Sequence, residues 1–447
     1  MTPRTIAAAG CLFSLIAVLS AQEGTAIDES AMFGDAETTI ADSTALVNTS
    51  AGKESQAEKT GLSVSGEMTS AAMISLPRKN EDNPTLSSSM VGNLLLDARL
   101  RGGIKGFANA EADYTSQNDS LAFFLREIFV DLSFHNKVYL RTGKQVLQWG
   151  RCYFWNPTDL INVERKAFVD KISGREGAYG LKAHVPFGTA VNLYGFIDTR
   201  QADSLEKVSG SFKFEFLAGR SEAALSVWGK KDKMPVMGGD ISSRLLGLDI
   251  SGEVSLFRQD NEMIMVARHD SLLLAEGPKE WAPKAALGLT KNFDFGGIPN
   301  RITTVLEGYY NSAGYDSRIF TDSKNYFTKP STKAELPAPT ANTDPTTETK
   351  LVFFLKNGLY QPNEHAPYYI ALFTQFDRFI TSDMTLYARA IMNVGERCAV
   401  LMSGLTYKDL RDLSLGLTLI SNVGPDDREY TYFGSPLTVQ ATAGITF

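Results

Sequence analysis

The chain has 447 residues, of which 43% are hydrophobic, and its net charge is −7. This acidic balance argues against a nucleic-acid partner. No apolar run of about 18 residues follows the N-terminal segment, so the sequence predicts no membrane-spanning helix there. The composition suits either about three soluble domains or one large membrane barrel, because half of each barrel strand is polar.

The N-terminal segment predicts a secretion signal. Arg4 supplies a positive charge, residues 6–19 form an apolar core, and residues 20–22 (Ser-Ala-Gln) offer small side chains for cleavage. We therefore expect residues 1–21 to be a signal peptide for Sec-dependent export. Residues 22–60 are rich in Ala, Ser, Thr, Asp and Glu and lack periodicity, which predicts a flexible periplasmic segment.

From Gly61 onward, apolar and polar residues alternate in one short segment after another. In the segment 93–101, Leu94 and Leu96 share one face, whereas Asp97 and Arg99 share the other. Only a strand uses this two-residue period. Further strands are predicted at 104–114, 122–135, 137–150, 176–185, 189–199, 208–217, 222–230, 244–257, 261–270, 283–292, 301–313, 367–376, 383–393, 398–408, 411–421 and 437–447.

The last of these strands carries the strongest signal. Its alternation runs to the final residue, with Val439, Ile445 and Phe447 on the apolar face. An edge strand of a soluble sandwich is one interpretation. A closed membrane barrel is the other, because lipid lies outside it, water lies inside, and its last strand pairs with its first. The segment resembles the terminal strand of bacterial outer-membrane barrels, and this implies that Phe447 is read by the barrel-assembly machinery.

Connections between the predicted strands alternate between short and long. Short ones lie at 101–103, 136, 186–188 and 409–410, and long ones at 73–92, 151–175, 231–243, 314–366 and 422–436. Short periplasmic turns and long extracellular loops are typical of an outer-membrane barrel, whereas a sandwich has no reason to keep this parity.

We therefore predict an all-β protein: one transmembrane antiparallel β-barrel over residues 61–447, with about 18 strands. The count is even only if residues 314–366 form a single outside loop. Within it, residues 351–355 are apolar, and we assign them to a short helix or a folded-in loop segment. If they are a strand instead, a count of 16 is the alternative.

Catalytic and metal-binding signals are absent from the sequence. It contains no GxSxG, GxxxxGK[ST], GxGxxG or HExxH motif, and its four histidines lack the spacing of metal ligands. Beyond the predicted signal peptide the chain keeps Cys152 and Cys398, which are too few and too far apart for a disulfide framework. We therefore expect no enzyme activity, no metal and no cofactor.

The segment 125–162 carries three motifs. These are LREIFVD at 125–131, GKQVLQWG at 143–150 and NPTDL at 156–160. They resemble bacterial outer-membrane porin-like barrel families that carry L-R-E-x-x-V-D, G-[KR]-Q-x-x-x-W-G and N-P-x-D-[LV]. The close match covers this segment, and the alternating strands and terminal Phe extend it weakly to the rest. Such families include export and uptake channels, so the motifs indicate architecture more than substrate.

The resemblance implies that the third outside loop, residues 151–175, folds inward and narrows the pore. Its mixed charges would select ions most strongly in a narrow, partly desolvated channel, whereas a solvated surface loop is the alternative. The predicted constriction residues are Arg151, Asp159, Glu164, Arg165, Lys166, Asp170, Lys171 and Arg175. The aromatic residues Trp149, Tyr153, Phe154 and Trp155 would anchor this loop to the wall or, alternatively, stack on a sugar ring.

Charged residues on the polar faces of the strands are expected to line the lumen. These are Arg99, Arg101, Lys105, Glu111, Asp113, Glu127, Asp131 and Arg389. Arg126 interrupts an otherwise apolar face, and Lys144 lies on a mixed face, so neither is assigned to the lumen.

The sequence therefore predicts a passive channel for small polar or charged solutes in the outer membrane of a Gram-negative-type bacterium. Its partners would be the lipid bilayer, the barrel-assembly machinery and the solutes. Porin-type barrels are often homotrimers, although no segment of this sequence indicates an oligomer contact. The alternative is a surface barrel whose long loops, above all 314–366, bind a host or partner molecule.

Overall fold

A computed structural model describes the chain from Gly61 to Phe447 apart from several short segments. Those segments are residues 79–82, 101–102, 118, 136, 163–176, 201, 269–270, 316–318, 321–325, 328–347 and 409–411. The predicted signal peptide at 1–21 and the predicted periplasmic segment at 22–60 lie outside the described residues.

Eighteen antiparallel strands form one closed sheet. Closure is direct, because the first strand pairs with both the second and the last strand of the chain. The barrel strands are β1 (Gly61–Leu76), β2 (Thr85–Arg99), β3 (Lys105–Thr115), β4 (Ser120–Phe134), β5 (Val138–Gln145), β6 (Ala178–Phe187), β7 (Val191–Asp198), β8 (Ser209–Ala218), β9 (Ser221–Lys230), β10 (Val236–Leu245), β11 (Leu248–Arg258), β14 (Trp281–Phe295), β15 (Ile298–Asn311), β18 (Tyr368–Asp377), β19 (Met384–Asn393), β20 (Cys398–Lys408), β21 (Leu413–Val423) and β22 (Leu437–Thr446). The predicted 18-stranded barrel is thus confirmed, and the 16-stranded alternative is wrong.

Four short strands pair outside the barrel. They form two ribbons, β12 (Met263–Arg268) with β13 (Ser271–Glu276) and β16 (Tyr326–Phe327) with β17 (Glu348–Thr349). Two short helices, α1 (Lys350–Lys356) and α2 (Glu429–Phe433), lie in the loops. Helix α1 confirms the helical assignment of residues 351–355. In the described part of the chain, no helix has the length and apolarity needed to cross a bilayer.

The alternation of the sequence appears as two faces of the wall. Leu94 and Ile445 are 43% and 49% exposed on the outer face, whereas Asn109 and Gln440 are 3% and 1% exposed on the inner face. Apolar side chains therefore cover the outside, and polar side chains pack inside. This arrangement suits a barrel with lipid around it and water within it.

The C-terminal residue completes the seam. The N–H and C=O of Phe447 bond to the C=O and N–H of Gly66 at 2.9 and 2.8 Å. The Phe447 ring occupies the space that a Cβ on Gly66 would need. Glycine at this position of β1 therefore makes room for the terminal aromatic side chain.

Arg126 interrupts the apolar face of β4 because the strand bulges there. The pairing of β3 with β4 shifts register between Asn109 and Ala110, which are opposite Glu127 and Leu125. Arg126 is the extra residue, so it and Glu127 both point inward, and Arg126 Nε donates to Glu111 Oε1 at 2.8 Å. A β-bulge turns two successive side chains to one face, which a strict two-residue period cannot describe.

The predicted boundaries are wrong between residues 231 and 270. The predicted loop at 231–243 is mostly strand β10, the predicted strand 244–257 spans the turn between β10 and β11, and the predicted strand 261–270 is half of the ribbon β12–β13. The turn is Leu246-Gly247, both with positive φ (53° and 72°). Leucine rarely adopts this conformation, so Leu246 does not mark a turn in the sequence. The missed strand β10 and the false barrel strand 261–270 offset each other, so the predicted number of barrel strands was unaffected.

Two further predicted boundaries need correction. The predicted loop 73–92 is largely strand, because β1 extends to Leu76 and β2 starts at Thr85. The predicted strand 137–150 ends at Gln145. The residues after Gln145 leave the wall and begin the third loop, 146–177. The predicted turns at 136 and 409–410 lie outside the described residues.

Candidate functional site

The third loop folds into the barrel. Its described part, residues 146–162, is almost fully buried. Trp149 and Leu160 pack in one cluster with Trp228 and Phe257 of the wall. This apolar cluster fixes one side of the loop to strands β9 and β11.

A second apolar cluster fixes the same loop to another part of the barrel wall. The Trp155 ring stacks on Tyr309 with centroids 5.4 Å apart, and the Tyr153 ring stacks on Phe373, also at 5.4 Å. These wall residues belong to β15 and β18. The aromatic side chains of the loop therefore contact the wall, as the wall-anchoring interpretation predicts.

Two wall carboxylates accept the loop's backbone N–H groups. Glu307 accepts from Tyr153, Phe154 and Trp155 at 2.8, 3.2 and 2.7 Å. The loop's own backbone has no sheet or helix partner there. Because buried N–H groups must be paired, one carboxylate at this point satisfies three consecutive residues.

Glu253, on strand β11, binds the loop in the same way. It accepts from the N–H groups of Arg151 and Cys152, the latter at 2.7 Å. Its other oxygen accepts from Thr158 N and Oγ1 at 3.0 and 2.7 Å. Both Glu253 and Glu307 are 1% exposed. The loop is thus pinned to β11 and β15 mainly through its main chain.

Arg151 is the centre of a buried charge cluster. Its guanidinium contacts Glu215 at 2.9 Å, Glu222 at 2.5 Å and Asp240, and its side chain is 1% exposed. Lys213 lies 3.7 Å from both Glu215 and Asp240. Burial alone would lower the pKa of Arg151, but the carboxylates of Asp240 and Glu215 raise it, so the group stays charged.

The other predicted constriction residues fall into two groups. Asp159 is buried and accepts from Trp149 N at 3.1 Å and from Asn162 Nδ2 at 2.9 Å, so it shapes the loop from within. The remaining six, Glu164, Arg165, Lys166, Asp170, Lys171 and Arg175, lie outside the described residues.

Those predicted lumen residues that the structure describes lie on inward faces and mostly contact each other or near neighbours. Asp97 contacts Lys105 at 3.2 Å and Arg99 at 3.3 Å. Asp131 contacts Arg141 at 2.6 Å. In addition, Glu127 accepts from Val146 N at 2.8 Å, Asp113 lies on the face that carries Glu111, and Arg389 stacks over Phe373. Arg101 lies outside the described residues, and Lys144 is buried over the Tyr179 ring.

A cavity lies on each side of the third loop. The lower chamber, about 710 Å³, is lined by Arg151 and Tyr153 and by residues near the short turns such as Arg220. The upper chamber, about 380 Å³, is lined by Pro157 and Leu160 of the loop and by residues of the outer loops. The loop therefore lies between two cavities along the barrel axis.

The outer-loop layer is formed by the loops 259–280, 312–367 and 424–436, and it has its own small core. Phe320 and Phe354 are 0% exposed and pack with aromatic residues of the loops 312–367 and 424–436 and with Met265 of the loop 259–280. Below this core, His365 Nδ1 lies 3.4 Å from Glu429 Oε1, and both side chains are almost fully buried. Glu429 also accepts from Asn363 N at 2.9 Å.

The pKa of His365 is raised and that of Glu429 is lowered, and both shifts favour the ion pair between them. Burial alone would lower the pKa of His365, but Glu429 raises it. Burial would raise the pKa of Glu429, but His365 and the hydrogen bonds to the carboxylate lower it. Each group thus favours the charged form of the other.

Sequence reasoning missed the residues that fix the third loop, Glu253 and Glu307. Their strands alternate, so their inward direction could be read from the pattern. Their role could not, because the loop that they bind is about 100 and 150 residues away in sequence. The usable signal was a lone carboxylate on an inward face otherwise carrying small or aromatic side chains.

No family model and no curated protein matches the chain. Solved structures do share its fold. Acinetobacter baumannii OccAB1 has a TM-score of 0.50 at 11% identity, over 88% of this chain and 99% of that chain. Acinetobacter baumannii OccAB4 has a TM-score of 0.49 at 10% identity (87% and 99%), and Pseudomonas aeruginosa OccK5 0.48 at 9% (86% and 98%). At such identities the likeness concerns the fold. The chain is an 18-stranded β-barrel with an inward-folded third loop.

Proposed function

We propose that the protein is a channel for passive diffusion of small polar or charged solutes across the outer membrane of a Gram-negative-type bacterium. The observation that carries this proposal is the third loop, pinned inside a closed barrel with a chamber on either side. Such a loop narrows the passage without closing the wall. Transport by this route needs no chemistry, because the polar interior replaces part of the solute's hydration.

The third loop would act as the constriction. Arg151 and Asp159 lie in its described part, and the predicted charges between 164 and 175 would complete it. Since the guanidinium of Arg151 is matched by three carboxylates, we infer that its main role is to fix the loop against the wall, with the selectivity of the passage set by the net charge of the cluster.

The route to the membrane follows from the two chain ends. The proposed signal peptide at 1–21 would direct Sec-dependent export, and Phe447 would present the final strand to the barrel-assembly machinery. The pairing of Phe447 with Gly66 supports a role for this residue in closing the barrel. A homotrimer is the proposed assembly.

Recording from planar bilayers tests the proposal. Purified protein should give discrete conductance steps. Polymers above a limiting size should no longer enter the channel, and this limit should rise in a variant whose third loop leaves a wider passage. Reversal potentials in a salt gradient then give the sign of the ion preference. A folded barrel that inserts and never conducts would contradict the channel function.

A further inference from the structure

The upper chamber contains a buried ammonium group with unused hydrogen-bonding capacity. Lys284 is 9% exposed, and its Nζ lies 4.7 Å from the centroid of the Phe257 ring. Among the described residues its one ion pair is with Glu262, at the long distance of 4.0 Å, and it makes no hydrogen bond. An ammonium group has three donors, so Lys284 can still bind an anionic group in the chamber.

A buried carboxylate lines the same chamber. Glu364 is 8% exposed, and its Oε2 is buried without a hydrogen-bond partner among the described residues. Its backbone is fixed, because its C=O accepts from Asn311 Nδ2 and its N–H donates to Gln361 O, both at 3.1 Å. A buried carboxylate oxygen without a donor is costly, and a ligand that brings a donor removes that cost.

Three other charged groups line the chamber. His365 lies against Glu429, Lys233 Nζ donates to the backbone oxygen of Asn261, and Glu262 is half-exposed to solvent. The buried charges left for a ligand are therefore one cation, Lys284, and one anion, Glu364. Aromatic side chains, Trp228 and Phe257, form the wall beside them. The volume of about 380 Å³ lies within the range of small-molecule sites.

We propose that the upper chamber is a binding site for a small organic zwitterion. Lys284 would bind the carboxylate of the solute, Glu364 would accept from its ammonium group, and its apolar body would pack on Trp228 and Phe257. The inference rests on the proposed channel function, because the solute would occupy this site on its way past the third loop. A solute bound there obstructs the passage, so binding is measurable as a block of the ionic current.

Three probes of similar shape separate the two charges. Leucine is the zwitterion, leucinamide carries only the ammonium group, and 4-methylpentanoate carries only the carboxylate. Single-channel recording should show transient block by leucine at a concentration about tenfold below that needed for either of the other two, because each charged contact contributes about a factor of ten.

Variants assign each contact. Lys284→Met should weaken block by leucine and by 4-methylpentanoate about tenfold and leave block by leucinamide unchanged. Glu364→Gln should weaken block by leucine and by leucinamide and leave 4-methylpentanoate unchanged. Lys291→Met, at the turn end where its Nζ donates to Gly247 O, and Glu206→Gln, in an exposed outer-loop pair with Lys231, are matched controls that should behave as the natural protein.

Equal block by all three probes, no block in a conducting channel, or block unchanged in both variants would overturn the zwitterion site while leaving the channel intact. If the barrel does not conduct at all, the channel function fails, and equilibrium binding of leucine in detergent decides the site. If the natural protein binds leucine and both variants lose this binding, the zwitterion site is supported. If the natural protein does not bind leucine, the site is rejected. Should a variant fail to fold, the ranking of the three probes on the natural protein still decides.

Discussion

The third loop and the outer-loop layer are both loop segments attached to one barrel, yet they are fixed by different groups. The third loop presents its main chain to the wall, where Glu253 and Glu307 accept its N–H groups. The outer-loop layer is fixed by its own side chains, through an aromatic core and the pair of His365 with Glu429. The wall therefore determines the position of the first, whereas the loops themselves determine that of the second.

This difference has two consequences. Substitutions in the wall should move the third loop, even though the wall strands remain paired. The outer-loop layer should instead respond to pH, because a histidine of raised pKa lies at its base. Four predictions test this contrast, and the expected effect on stability falls from the first to the last.

Removing Arg151 should have the largest effect. Arg151→Met removes the guanidinium from the buried carboxylates of Glu215 and Asp240 and leaves them only Lys213 at 3.7 Å. Breaking a buried ion cluster costs about 3–5 kcal/mol. The guanidinium unfolding midpoint in detergent should fall, and the reversal potential should shift toward cations. Arg220→Met, a change of the same kind at the turn side of the lower chamber, should leave the unfolding midpoint nearly unchanged. An equal fall in both variants would contradict the role of Arg151.

Removing a wall carboxylate should release the third loop. Glu307→Leu leaves the N–H groups of Tyr153, Phe154 and Trp155 without an acceptor, and an unpaired buried group costs about 1–3 kcal/mol. The loop relieves most of this cost by moving toward water, so the fall in unfolding free energy should be smaller than for Arg151→Met. For the same reason, single-channel conductance and the polymer size limit should both rise. The matched control is Glu206→Leu, at an exposed loop position. A stable variant with unchanged conductance would show that aromatic packing alone fixes the loop.

The sequence predicted the barrel well where one residue period extends through a whole strand, as in β3 and β22. It failed where the backbone departs from that period. The positive φ of Leu246 concealed a turn, and the bulge at Arg126 placed a charge on a face that strict alternation assigns to lipid. Neither event changes the composition of its segment, so both are visible only in the pairing of neighbouring strands.

The site was predicted by its position in the chain and not by its contacts. The resemblance predicted that residues 151–175 fold inward, and residues 146–162, the described part of this loop, lie inside the barrel with Arg151 and Asp159 among them. The partners of Arg151 come from β8, β9 and β10, and the acceptors of the loop's N–H groups come from β11 and β15. These contacts depend on barrel closure, which brings together residues that no local pattern connects.

The outer-loop layer should weaken as the pH rises. His365 has a raised pKa in the folded protein, so its contribution is complete below its ordinary pKa of 6.5 and is lost as the pH rises through the raised value. Glu429 has a lowered pKa, so its contribution is complete above 4.5 and is lost as the pH falls through the lowered value. The pair is therefore strongest between pH 4.5 and 6.5.

Hydrogen exchange in helix α2 measures this effect, with each unit of pKa shift worth about 1.4 kcal/mol. After correction for the intrinsic rate, protection should fall above pH 6.5 in the natural protein and be independent of pH in that range in His365→Gln. His135→Asn, at the exposed turn after β4, should retain the natural pH dependence. An equal fall of protection in His365→Gln would show that the pair of His365 with Glu429 does not cause the pH dependence.

A hydrogen bond from Trp155 joins the two regions, and its removal should have the smallest effect. Trp155 Nε1 of the third loop donates to the backbone oxygen of Asn363 at 3.0 Å, and the N–H of Asn363 donates to Glu429. Trp155→Phe removes the donor and keeps an aromatic ring against Tyr309, so the loss should be about 1 kcal/mol. In a double-mutant cycle with His365→Gln, the two losses of unfolding free energy should add to within about 0.5 kcal/mol if the regions are independent. A larger coupling would mean that protonation of His365 affects the third loop, because this bond is a direct contact between the outer-loop layer and that loop.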